Sequence, residues 1–292
     1  MGYSGRYHAA SLAAVFVALA IGILIGIGLA DDVVSTAREG VEDSLRSDLD
    51  DANAQVDDLS AQLAQERQFT DRAAPALVAG RLARERVALI ALGDLPDDTA
   101  GDAQRAVEAA DAKLASVAVL DLPPDLDALR EAAGGRFGTP RRGPMRAENL
   151  GAAIGRQLVG GGPLIERVRE QLFERFNGNL AGVSRVVLVA PAPAALEGDL
   201  SGEGRAFESA LLGGVDARAK GTVGVERSST DPTTLAAFSN SGIATVDDVE
   251  RVPGQVAVVF ALLGAEGDFG IKENASSLLP DLLPARSAQP AP

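Results

Sequence analysis

The sequence predicts an α/β fold: an N-terminal transmembrane helix, a coiled-coil stalk, then a mostly parallel sheet with helices on both faces. Three observations carry this expectation. An uncharged apolar run fills residues 9–30, a heptad-like stripe follows it, and short apolar runs then alternate with helical patterns. The 292 residues allow one substantial domain with accessory segments, and 46% hydrophobic residues are enough for a core. The expected division is a cytoplasmic N-terminus at 1–8, a span at 9–30, a stalk at 31–74, an extracytoplasmic α/β domain at 75–279 and a disordered tail at 280–292.

At 1.5 Å per residue the uncharged run reaches about 33 Å as a helix, enough to cross a hydrocarbon core of about 30 Å. Inside a bilayer each backbone amide needs a partner within the segment, which a helix alone provides for a single run. Arg6 precedes it, and Asp31 and Asp32 follow. The positive-inside rule then gives a single-pass plasma-membrane protein with its N-terminus cytoplasmic and its bulk outside. Gly28-Leu29-Ala30 also fits a signal cleavage site, but signal cores run about 7–15 residues behind a more basic start, so a retained anchor fits better. Either outcome exports the bulk of the chain, where having no cysteine avoids oxidative mispairing. Ala18, Gly22 and Gly26 recur every fourth residue and form a small-residue face on which two helices can approach. Gly and Ala are also simply common in such spans.

Beyond the acidic pair, Val34, Val41, Leu45, Leu49, Ala52, Val56, Leu59 and Leu63 form a stripe, with late spacings of 4, 4, 3, 4, 3 and 4. That is a coiled-coil seam over a helix from about 34 to 70, relaxed at the 4, 4 step and weakened at Ala52. An amphipathic helix of this length leaves its stripe wet unless partnered. The simplest partner is a parallel second copy, hence a homodimer; the alternative is that the stripe folds back on its own domain. Pro75 is expected to end or kink the helix.

Strands are expected at 86–92, 117–120, 186–189, 223–226 and 243–246, each a short apolar run bounded by turn residues. Helices are expected at 99–114, 124–133, 147–158, 163–176, 204–212 and 232–238, and 255–263 reads as a buried helix more readily than a strand.

The chemical inventory is narrow. With no Cys and one His, His8 at the membrane edge, thiolate chemistry, Cys/His zinc sites and Ser-His-Asp triads are excluded from an exported domain. A net charge of −14 argues against a nucleic-acid partner. No cofactor is expected, and no catalytic residue. Asp94, Asp97 and Asp98 fall where the first strand should end; three carboxylates there suit Mg²⁺ or Ca²⁺, although Asp is equally a turn and N-cap residue. Asp121, after the second strand, joins the same rim only if the two strands are neighbours. Gly160-Gly161-Gly162 lacks the spacing of a phosphate loop and reads as a linker, and Asp268-Phe269-Gly270 lacks its kinase companions. The preference for Arg over Lys, with abundant Ala, Gly and Asp, reads as the mark of a GC-rich bacterial genome, in which the sequon at Asn274 is not expected to carry meaning. Arg136, Arg141, Arg142 and Arg146 form one basic cluster, either a solvated loop or a docking point for an acidic partner or anionic envelope polymer.

The segment RYHAASLAAVFVALAIGILIGIGL and its following stalk resemble the actinobacterial copper-transport family of MctB-like proteins. Gly267-Asp268-Phe269-Gly270-Ile271-Lys272 and Leu278-Leu279-Pro280 resemble that family's closing Gly-x-Tyr-Gly stretch, with Phe269 in the aromatic place. The resemblance implies a role in copper homeostasis or export. It extends to corynebacterial cell-separation proteins, which implies an alternative role as partner to a regulator of cell-wall hydrolysis. Copper(I) prefers soft thiolate and thioether ligands, and the exported part offers Met145 alone, so direct copper binding is not expected. One apolar helix lines no pore, and strands of about ten alternating residues for a barrel are not seen. The expected function is a non-catalytic, dimeric envelope scaffold acting through an envelope protein partner.

Overall fold

The computed structural model describes residues 5–138, 144–190 and 202–281. In chain order it has α1 (Gly5–Val78), β1 (Arg86–Leu92), α2 (Asp97–Ala109), β2 (Lys113–Leu120), α3 (Leu126–Ala133), α4 (Pro144–Leu158), α5 (Pro163–Leu172) and β3 (Phe173–Gly178). Then come β4 (Arg185–Val189), α6 (Gly202–Asp216), β5 (Thr222–Val225), α7 (Ala236–Ser239), β6 (Ala244–Val246), α8 (Val252–Leu262) and β7 (Asp268–Phe269). The chain divides into two units, Met1–Arg67 and Gln68–Pro292.

The described part of the first unit is helix α1. Its segment Tyr7–Gly26 is long and apolar enough to cross a membrane. Gly22 and Gly26 have no neighbouring atom within 4 Å of where a Cβ would stand. Further along, Val41, Leu45, Leu49, Val56, Leu59 and Leu63 are each between 47% and 63% exposed, so within the unit the apolar stripe has nothing covering it.

In the second unit α1 does not stop at Pro75. It continues to Val78, and the Ala79 amide donates to the Pro75 carbonyl at 2.9 Å. Proline removes one backbone donor, but the carbonyl it leaves unmatched belongs to the exposed Asp71, while Ala74 and Val78 are buried and hold the last turn.

The seven strands form one sheet in the order β3-β2-β1-β4-β5-β6-β7. Every pairing is parallel except β2 with β3. Burial on both faces explains the near-continuous apolar strands: alternate residues of β1 enter opposite layers, with Ala88 and Ile90 on one side and Val87, Leu89 and Ala91 on the other. The first layer is roofed by α3, α4, α5 and α6, and the second by the end of α1, α2 and α8. Helices α4 and α6 touch backbone to backbone. A Cβ on Gly155 would lie 2.1 Å from the Leu211 carbonyl oxygen, and one on Gly151 2.3 Å from that of Phe207. Glycine is therefore required at these helical positions despite its low propensity.

Several boundaries correct the sequence expectations. The helix expected at 99–114 ends at Ala109, because Asp111 takes a left-handed φ of 61° and the chain from Lys113 joins β1. The helix expected at 163–176 ends at Leu172, and Phe173–Gly178 becomes the antiparallel edge strand β3, whose Phe173 and Phe176 rings lie 5.0 Å apart. The helix expected at 232–238 shrinks to the single turn α7, because Glu226 captures the hydroxyls of Thr233 and Thr234 and the Thr234 amide. The strand β7 was not anticipated. The helix expected at 255–263 is α8, starting three residues earlier. Of the tail expected at 280–292, residues 282–292 lie outside the described part.

Candidate functional site

Strand order reverses between β1, whose other neighbour is β2, and β4, so the crevice beyond the carboxyl ends of these strands is where a doubly wound sheet places a ligand. A cleft of about 260 Å³ opens there, lined among others by Thr99, Ala190, Glu226, Arg227, Thr230 and Thr234.

Glu226 lines this cleft, and further acidic groups stand at and beside the neighbouring strands. Glu226 follows β5 and is 4% exposed. It accepts from Thr233 Oγ1 at 2.7 Å, from the Thr234 amide at 2.9 Å, from Thr234 Oγ1 at 3.0 Å and from Lys272 Nζ at 2.6 Å. Four donors, one of them cationic, satisfy a carboxylate that burial would otherwise penalise. Asp247, after β6, accepts from the Ile271 and Lys272 amides at 2.8 and 3.0 Å. These bonds draw the chain after β7 across β6. They also explain Gly270, where φ is 131° and a Cβ would lie 2.1 Å from Asp247 Oδ1. Asp268 accepts from Thr245 Oγ1 at 2.6 Å and Ser239 Oγ at 3.0 Å. The closing stretch at 267–272 thus builds the last strand and its latch.

Asp248 behaves differently. It is fully buried, and neither carboxylate oxygen has a hydrogen-bond partner among the described residues. Burial, with the neighbouring Asp247 and Glu250 charges adding to it, pushes its carboxyl up to about 7. At Glu250 the upward push of burial is outweighed by hydrogen bonds from Ser228, and the group lies below the usual range. On the opposite rim of the sheet, a hydrogen bond from the Ser184 hydroxyl, with Lys220 at 3.0 Å, holds Glu85 low.

The residues singled out from sequence fall as follows. Asp94 lies just past β1 and is exposed; Asp97 and Asp98 open α2. Asp98 pairs with Arg227 at 3.0 Å, and Arg227 also faces the buried Asp102 at 3.6 Å. A guanidinium therefore stands against the acidic turn. Strands β1 and β2 are neighbours, which puts Asp121 at the same edge of the sheet. No group of three or more His, Asp or Glu among the described residues is arranged to hold a metal ion. The glycine linker leads into α5, whose first amides, Leu164 and Ile165, donate to Gln157 Oε1 at 2.8 and 3.2 Å. In the basic cluster, Arg136 lies over the Phe137 ring at 4.7 Å and Arg146 sits on α4, while Arg141 and Arg142 fall outside the described residues. Sequence reasoning missed Glu226, Asp247 and Lys272. The available signal was position, since Glu226 and Asp247 adjoin strand exits and Lys272 closes the stretch that carries the family resemblance.

An open, doubly wound α/β domain following a single apolar helix defines a class of membrane-associated protein. Within that class the chain belongs to the family described as copper transport outer membrane protein, MctB, which it matches over residues 3–280. It is similar to the copper transporter MctB of Mycobacterium tuberculosis and to that of Mycobacterium bovis. With each it is 27% identical over 319 aligned residues, covering 94% of this chain and 98% of the relative.

Proposed function

We propose that the chain is a plasma-membrane-anchored, extracytoplasmic scaffold that serves copper homeostasis through contacts with envelope proteins, paired with a second copy along α1 and without catalysis of its own. The observation that carries this reading is the bare stripe from Val41 to Leu63: six large apolar side chains on one helix, each about half or more exposed, follow directly on a segment fit to span a bilayer. The family's name supports copper as the physiological context. The ligand chemistry supports an indirect role, since the chain has no Cys, its one His precedes the span, and Met145 is the only thioether beyond it. An α-helical anchor also suits an inner membrane better than the β-barrel architecture of outer-membrane proteins.

The test is calorimetric titration of the purified full chain in detergent micelles with Cu(I), Cu(II), Mg²⁺ and Ca²⁺. The scaffold reading expects no saturable heat for any of them. Saturable copper binding would replace it with direct transport. Saturable Mg²⁺ or Ca²⁺ binding abolished by Asp94→Asn with Asp97→Asn would establish the acidic turn as a metal site.

A further inference from the structure

The first-layer face of the α/β domain carries a concentration of positive charge at odds with a chain of net charge −14. Three hollows of about 380, 340 and 540 Å³ adjoin one another there, and all three share Arg136. Between them they are lined by Arg130, Arg136, Arg146, Arg156, Arg167 and Arg218, and no Asp or Glu lines any of them among the described residues. The elements explain the clustering. Arg146, Asn149, Ala153 and Arg156 recur at three and four residues and share one face of α4; Arg218 follows α6 and Arg167 projects from α5.

The six are not equivalent. Arg130 is 7% exposed and already neutralised by Asp127 at 3.0 Å and Glu203 at 2.6 Å, so it belongs to the floor. Arg167 donates through Nε to the Ala133 carbonyl at 3.1 Å, which fixes its stem. Arg136, Arg156 and Arg218 are exposed and have no carboxylate partner among the described residues. Lys220 and Arg227, by comparison, are paired with Glu85 and Asp98. Unpaired guanidinium groups gathered in a concave run are a device for binding anions, because the planar fork matches an oxyanion bidentately.

We propose that this arginine groove binds a polyanionic glycopolymer whose repeating charges are phosphodiesters. Three features favour an extended polyanion over a small anion, a lipid surface or a single-stranded nucleic acid, and comparison with polyglutamate decides between phosphodiester and carboxylate charges. Charges distributed over three connected hollows suit a chain with repeated anions better than one small anion. The hollows are concave, whereas a lipid surface needs a flat or convex face. The one aromatic residue lining them among the described residues, Phe137, already has Arg136 over its ring, so the described lining offers no free platform for stacking the bases of a single-stranded nucleic acid. The amide dipole at the start of α5 is not part of the site, because Gln157 Oε1 occupies that position. The inference depends on the domain's surface alone and stands apart from the pairing of α1 or its membrane topology.

The experiment measures binding of fluorescein-labelled poly(glycerol phosphate) to the full chain in neutral detergent micelles as salt is raised. Parallel arms use dextran, polyglutamate, oligodeoxythymidine and phosphatidylglycerol vesicles. The expected result is binding to poly(glycerol phosphate) that weakens steeply with salt and is absent for dextran. The variant Arg136→Gln with Arg156→Gln and Arg218→Gln should weaken it at least about 30-fold and flatten the salt dependence, while the corresponding Lys variant retains most of it. The three side chains are exposed, so the far-ultraviolet circular dichroism of both variants should match the parent. Equal binding by parent and Gln variant would overturn the proposal. So would equal or tighter binding of polyglutamate, oligodeoxythymidine or vesicles, which would assign the groove to an acidic protein, a nucleic acid or a lipid surface respectively.

Discussion

Lys272 Nζ lies 2.6 Å from Glu226 Oε1, joining the segment after the last strand to the exit of β5 across the width of β6. Both groups are largely withdrawn from water, with side-chain exposures of 17% and 4%. Removing one partner leaves the other charge buried. Lys272→Met should therefore cost about 3–5 kcal/mol in urea unfolding of the domain, and adding Glu226→Gln should recover part of the loss. An unchanged midpoint for Lys272→Met would show that the pair is not a latch.

Gly270 occupies a backbone conformation that side chains rarely adopt, with the Asp247 carboxylate in the place of its Cβ. Asp247 cannot swing away without releasing two amides. Gly270→Ala is expected to destabilise the domain by at least about 2 kcal/mol, read as a lowered thermal midpoint.

Two glycines on the facing helices α4 and α6 should respond in opposite directions. At Gly155 an added methyl meets the Leu211 backbone, and Gly155→Ala should cost about 1–3 kcal/mol by forcing α4 from α6. At Gly213 nothing lies within 4 Å, and Gly213→Ala should stabilise by about 0.5–1 kcal/mol through helix propensity. Chemical denaturation of the two variants side by side checks the sign of each.

Asp248 gives the domain a pH dependence of definite sign. Its carboxyl is raised from 3.8 to about 7, so between those values the folded state holds a proton that the unfolded chain has released. Stability from this group is full below about pH 4, declines as pH rises and is lost above about 7. Asp248→Asn removes the charge that burial penalises. It should raise the thermal midpoint at pH 8 by several degrees and by well under half as much at pH 5, where only part of the penalty is present. A variant equally stabilising at both values would contradict the assignment.

What the sequence disclosed follows from where apolar residues concentrate. Strands β1, β4, β5 and β6 and helix α8 are dominated by apolar residues because they are buried from both sides, and that burial makes them legible. The edge strand β3, FERFNG, is half charged or polar because one side faces solvent, and it reads as the continuation of α5 until β2 is there to pair with it. Likewise β7 is two residues long and exists through its pairing with β6. The acidic turn at Asp94, Asp97 and Asp98 was legible as a rim feature; its ion pair with Arg227 was not, since it joins residues more than a hundred positions apart. Distance along the chain also hid the Glu226–Lys272 pair, 46 positions apart, and all of the arginine groove except Arg136 and Arg146, since its other members lie on α3, α4, α5 and just after α6.

The central claim is that the stripe on α1 pairs two copies of the chain in parallel. The absence of cysteine makes this directly testable in native membranes. Leu59→Cys places a thiol on the stripe, and Ala61→Cys places one two residues away, on the opposite side of the helix. Under mild oxidation the account predicts a disulfide-linked dimer from Leu59→Cys and monomer from Ala61→Cys. Monomer from both, or equal crosslinking of both, would contradict it.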